Sequence, residues 1–262
     1  MPDRTATTSL PSSAIRTRTP RPDRTGVAWR PAFGRAGYFF LALFGGALLA
    51  FWPHYLSRLP RGGDWYTHAH ALVAVTWCLL LIAQPFLIRA RRYDLHRRLG
   101  MLSRVVAPVF VVTAVLLAHA HTLSVDNPRF VARAPSVFLG LSATLQFAVA
   151  YGLALRFRST TALHARFMIA TGLTMIDPVL VRVLSFYAPP FSHPLLYQVC
   201  GYGLCDAVLL LLAWYPAISP RNRWIFLGGV AVFPACHLAW FTVVQGPLWT
   251  AFAAWFRSLP LT

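Results

Sequence analysis

The sequence predicts an all-α fold, a polytopic transmembrane helical bundle of about seven spans, and three observations carry that prediction. Of the 262 residues 57% are hydrophobic and 12% charged, with a positive mean hydropathy, which leaves too little polar surface to clothe a soluble globule of this size. Six long apolar stretches lie between residues 68 and 243, separated by short polar, Pro-rich or Arg-rich connections. Each can supply the roughly 20 helical residues needed to cross about 30 Å of hydrocarbon. The charges are sorted by connection instead of being gathered on one face, as the two sides of a membrane require.

Residues 1–35 are rich in Arg, Thr, Ser and Pro and lack apolar periodicity. They are expected to form a disordered basic tail on the cytoplasmic side, near anionic lipid, with a binding arm as the alternative. The transmembrane domain is expected over 36–262. Its first span, near 36–53, ends in Phe51-Trp52-Pro53 and not in a small-residue cleavage site, so it reads as a retained helix and not as a secretory signal. Spans near 68–88, 105–123, 135–155, 167–187, 195–217 and 224–244 follow. A last amphipathic piece, 248–257, is too short to cross at about 1.5 Å per residue. Trp52, Tyr55, Trp65 and Tyr66 on one side, and Trp214, Tyr215 and Trp224 on the other, fit interfacial belts.

A formal charge of +17 would suit nucleic acid in a soluble protein, but here the arginines report topology. Seven fall in the first 35 residues and six between Arg89 and Arg104; Arg156, Arg158, Arg166, Arg221 and Arg223 lie on that same side. The opposite loops hold Arg58, Arg61, Arg129, Arg133 and Arg257, two of these loops being offset by Asp64 and Asp126. The positive-inside rule therefore places the N-terminus in the cytoplasm and the C-terminus outside. Every basic residue is Arg and every acidic one Asp, a bias that fits a GC-rich bacterial genome and hence a multi-pass protein of a bacterial cytoplasmic membrane. Lipid is the expected partner, anionic lipid at the tail; nucleic acid is not, and a protein partner within the membrane stays open.

Leu95-His96-Arg97-Arg98-Leu99-Gly100-Met101 and Leu163-His164-Ala165-Arg166-Phe167-Met168-Ile169 each open a span from the inner side, and Pro220-Arg221-Asn222-Arg223-Trp224 keeps the Arg without the His. Spans two to seven thus read as three hairpins in one orientation, or as the Arg-rich inner turns of any polytopic protein. The stretch opening with His68-Ala69-His70 and ending Gln84-Pro85, the His96-Arg97-Arg98-Leu99-Gly100 turn, and His164 followed by Met168 and Arg182 resemble an uncharacterised family of predicted bacterial polytopic membrane proteins. The resemblance covers roughly 68 to 187. More distantly the chain looks like cytochrome-oxidase assembly and heme-handling membrane proteins, which also place His at helix ends before a Met. That resemblance implies the membrane architecture more than any chemistry, and His119-Ala120-His121 and the chain after the fifth span lie outside its pattern.

Ionisable groups at membrane depth are costly and are the first candidates for function. His68 and His70 begin the second span; His119 and His121 lie about 22–26 Å from the inner end of the third, at similar depth. Residues two apart on a helix point about 200° apart, so one His of each pair is expected to face a shared site. His237, about 20 Å along the seventh span, is a candidate for the same region. Two such imidazoles suit a bis-His heme b, and three suit zinc or copper. The alternative is no cofactor at all, with the histidines snorkelling into the interface. His54 and His193 are placed at the outer rim.

A second constellation lies at the midplane: Asp177 before Pro178, Arg182, and Asp206. Pro178 removes a backbone donor and opens the helix beside a carboxylate. Arg182 cannot lose its proton and is expected to pair with one Asp, leaving the other to carry a proton, or all three form an ion-pair network that only fixes packing. Gln84, Gln146 and Gln198 would extend either network. His96 and His164, beside arginines at helix starts, are the alternative inner heme pair, an anion site, or cap residues. Cys78, Cys200, Cys205 and Cys236 all fall in spans without a C-x-x-C and read as packing residues, Cys236 beside His237 being a faint copper motif.

No C-x-x-C-H, H-E-x-x-H, phosphate loop or Ser-His-Asp order is present, so the sequence leaves open whether the chain is an enzyme. Three readings remain: heme or metal binding by outer histidines in electron transfer, cofactor handling or oxidase assembly; a proton-coupled transporter or channel using Asp177, Arg182 and Asp206; and a non-catalytic membrane scaffold.

Overall fold

The computed structural model describes residues 30–61, 64–123, 127–188, 193–215 and 219–262. The expected basic tail falls, up to residue 29, outside the described residues, as does Asp126. Among the described residues the regular structure is helical, without strands. The helices are α1 (Arg30–Phe51), α2 (Trp65–Arg89), α3 (Tyr93–Leu123), α4 (Asn127–Arg156), α5 (Thr161–Leu173), α6 (Ile176–Tyr187), α7 (Pro194–Trp214), α8 (Pro220–Val230), α9 (Val232–Thr242) and α10 (Pro247–Ser258). Six stretches are long and apolar enough to cross a bilayer: α2, α3, α4 from Ala134, α5 with α6, α7 from Leu195, and α8 with α9. The shorter apolar part of α1, Arg35–Phe51, joins them.

Three expected span boundaries are corrected. The third span, expected from 105, begins at Tyr93, so Arg97, Arg98 and Arg104 ride on α3 itself. The fifth begins at Thr161 and is interrupted at Thr174 and Met175; the seventh begins at Pro220 and is interrupted at Ala231. Both interruptions have one cause. A proline ring collides with the carbonyl four residues earlier and offers no N–H to it. Pro178 acts in this way on Thr174, and Pro234 on Val230.

The broken pair α5–α6 is the axis of the bundle. It touches α1, α2, α4, α7 and α8, while α2 packs chiefly between α1 and α3. Phe167, Ala170, Thr171 and Leu173 of α5 are wholly buried. One apolar cluster joins Phe167, Ala170 and Leu173 to Ala150, Leu209, Phe226 and Phe233; a second packs Trp77 against Phe40, Phe147 and Tyr151. On the outer faces Leu72, Leu79, Val105, Val112, Leu211 and Leu238 stand exposed, as expected where lipid replaces water as the solvent of apolar side chains. The amphipathic end piece forms α10, which lies against α3 and α4. Trp249 donates its indole N–H to the Ala134 carbonyl at 2.8 Å.

Candidate functional site

The interrupted helices bring one set of polar side chains together. Gln198, Tyr202 and Asp206 of α7 are spaced four residues apart, which stacks them along one helix face. That face meets Asp177 in the first turn of α6 and His237 in α9. Gln198 Nε2 donates to Asp177 Oδ1 at 2.7 Å. Close contact here requires Gly201, because a Cβ at that position would lie 2.5 Å from Asp177 Oδ1. The thiol of Cys205 donates to the Leu173 carbonyl at 3.3 Å, beside the interruption.

Asp206 Oδ2 lies 3.1 Å from His237 Nδ1. A carboxylate only accepts, so Nδ1 is the donor in this contact. The Tyr202 ring stacks on the imidazole at 4.0 Å and 14°, and Phe233 presents its edge to it. Gln198, Tyr202 and His237 are 4%, 6% and 6% exposed, whereas the Asp206 side chain is 33% exposed, so the group is buried on the His237 side and open at Asp206. Asp206 Oδ1 is buried and, among the described residues, has no hydrogen-bond partner. Asp177 lies within electrostatic reach of both His237 and Arg182, which couples the two carboxylates, the imidazole and the guanidinium.

The expected partnership of Arg182 with a midplane Asp takes a looser form: among the described residues no direct ion pair joins it to Asp177 or Asp206, but it lies within electrostatic reach of Asp177. Residues five apart point about 140° apart on a helix, so Asp177 turns to α7 while Arg182 turns to α1. Its guanidinium donates to the Pro178 carbonyl at 2.8 Å and sits 4.7 Å from the centre of the Phe51 ring.

The outer histidines are spread over separate partners. His68 Nδ1 lies 3.0 Å from the Tyr55 hydroxyl. His70 Nδ1 lies 3.2 Å from Thr113 Oγ1, whose own hydrogen goes to backbone carbonyls of α3. His119 is fully buried, with Nδ1 2.6 Å from Thr262 Oγ1 and its ring edge-on to Phe256. His121, two residues on, is exposed and within electrostatic reach of Asp64. His237 belongs to the interior group, and His54 stacks on Phe186. Among the described residues no three His, Cys, Asp or Glu side chains converge as a metal site of those residues needs. The inner pair behaves differently: His96 and His164 lie within electrostatic reach of each other.

Tyr202 was not among the sequence candidates, although its spacing from Gln198 and Asp206 marks it. No family model, curated protein or solved structure matches the chain.

Proposed function

We propose that this multi-pass membrane protein is a proton-coupled transporter, with Asp206 and His237 as its proton-carrying pair. The carrying observation is the hydrogen-bonded Asp206–His237 contact inside the bundle, with the second Asp206 oxygen buried and unpartnered among the described residues. A buried carboxylate oxygen without a donor is costly, and a proton or an arriving donor relieves that cost. Scaffold packing alone calls for complete pairing instead. The outer histidines support heme or metal binding less well, because each is engaged separately. Two interrupted helices flank the pair, and broken helices at mid-membrane are where transporters place substrate and ion sites. The breaks at Thr174–Met175 and at Ala231 supply hinge points for exposing the pair to either side in turn.

Energised everted vesicles carrying a pH-sensitive dye test this reading. Pools of small solutes are added, and a transported solute dissipates the gradient in wild type but not in Asp206→Asn or His237→Gln. Infrared difference spectra of the same membranes should show a carboxyl band that disappears in Asp206→Asn. Absence of both responses from the wild-type protein would rule the reading out.

A further inference from the structure

We propose a second site, independent of the first: Gln84, His96 and His164 bind a divalent transition metal of the zinc class at the arginine-rich end of the bundle. Gln84 Nε2 of α2 donates to the His96 carbonyl of α3 at 3.3 Å, which ties the two residues together across the helix pair. The other end of that amide, Oε1, is buried, as is His96 Nδ1, and among the described residues neither atom has a partner. Two such atoms on neighbouring residues call for a common partner, a bound ion or an ordered water.

His164 provides the third donor. Its Nδ1 lies 2.9 Å from the Ala154 carbonyl, which can only accept, so the ring hydrogen sits on Nδ1 and Nε2 holds the lone pair. Donation of the second ring N–H to a backbone carbonyl is how metal-binding histidines are oriented. With His96 and His164 in electrostatic reach of each other, the set is two imidazole nitrogens and one amide oxygen, with a fourth position open. The orphaned Gln84 oxygen decides the sign of the ligand. It is an acceptor, so it matches a cation and opposes the anion expected from the neighbouring arginines and helix starts. The donors are neutral, and nearby guanidiniums such as Arg97, itself paired to Asp94 at 3.8 Å, draw an anion to the open position. The third donor being Gln explains why no cluster of His, Cys, Asp and Glu alone marks the place.

The test uses tag-free full-length protein in detergent, stripped with chelator and titrated with Co2+ and then Zn2+. The expected result is one Co2+ per chain with visible ligand-field bands, displaced by Zn2+ and released on acidification as the imidazoles protonate. His164→Asn keeps a donor for the Ala154 carbonyl but loses the ligand nitrogen. It should retain the wild-type unfolding temperature while weakening Co2+ binding by at least the roughly 10–100-fold that loss of an outer partner costs. Gln84→Glu should strengthen binding, a change that a packing role would not produce, and His70→Ala should leave it unaltered. Wild-type binding no tighter than that of the His96→Ala/His164→Asn double variant would overturn the site and assign the orphaned atoms to an ordered water.

Discussion

Replacing Gly201 with alanine tests whether α6 and α7 must touch at Asp177. The added Cβ would lie 2.5 Å from Asp177 Oδ1 and 3.4 Å from its Cα, the first about 1 Å inside the optimal nonbonded separation of about 3.5 Å. Two responses are open to the protein. Asp177 can rotate and give up its bond from Gln198, a hydrogen bond to a charged group worth about 1.5–3 kcal/mol. Alternatively the helices separate, at the about 1–3 kcal/mol typical of overpacking. Either way Gly201→Ala loses about 2 kcal/mol. Gly203→Ala is the control in the same helix: nothing lies within 4 Å of its added Cβ, and alanine gains up to about 1 kcal/mol of helix propensity. The propensity gain is common to both positions, so the two variants should differ by the steric cost, about 2 kcal/mol, in equilibrium unfolding by SDS in mixed micelles, read by tryptophan fluorescence. Repeating Gly201→Ala in a Gln198→Leu background separates the two responses, since the cost shrinks only if rotation breaks the Gln198 bond. Stabilities of the Gly201 and Gly203 variants equal within about 0.5 kcal/mol, the spread of neutral substitutions, would refute the close approach.

Three further outcomes follow from the same geometry. Trp77 is 1% exposed and packs edge-on against Phe147 and Tyr151 at 4.9 and 5.4 Å, so Trp77→Ala should cost about 3–5 kcal/mol in the unfolding assay and Trp77→Phe clearly less. A double-mutant cycle of Asp206→Asn and His237→Gln should return a coupling of about 0.5–3 kcal/mol; strict additivity would mean the pair does not interact. Asp64 caps α2, accepting from the Thr67 amide at 2.8 Å and from its hydroxyl. Burial pushes its carboxyl up, but the Thr67 hydrogen bonds and the His121 charge outweigh this and hold it below its ordinary value. A lowered pKa means that the cap's contribution is complete above about pH 4 and fades as pH falls through the lowered value. Hydrogen exchange at the Thr67 amide should therefore speed up on acidification below about pH 4 in wild type, after correction for the intrinsic rate, and Asp64→Ala should abolish that dependence.

The spans were legible because crossing a bilayer is a demand on local composition: an apolar run of sufficient length is visible whatever packs against it. The break at Pro178 was legible for the same reason, since the proline acts on its own helix. Pro234 acts identically, but Pro85, Pro108 and Pro135 sit inside unbroken helices, so the sequence did not mark which proline interrupts its helix. Asp177 and Asp206 declared themselves as carboxylates in apolar runs, and the four-residue spacing through Gln198 and Tyr202 was present to be counted.

Partnership was another matter. Sequence placed His237 with the outer histidines and Arg182 with a midplane Asp; in the tertiary structure His237 meets Asp206, and Arg182 turns to Phe51. Depth along a helix follows from counting residues, but rotation about its axis does not when lipid-facing and protein-facing sides are both apolar and the periodic signal of a soluble helix is missing. The sequence alone therefore determined a multi-pass helical bundle and which of its apolar runs carry the costly side chains. Which of those side chains meet, and which buried atoms are left without a partner among the described residues, was decided only when α6, α7 and α9 packed together and fixed the direction each one faces.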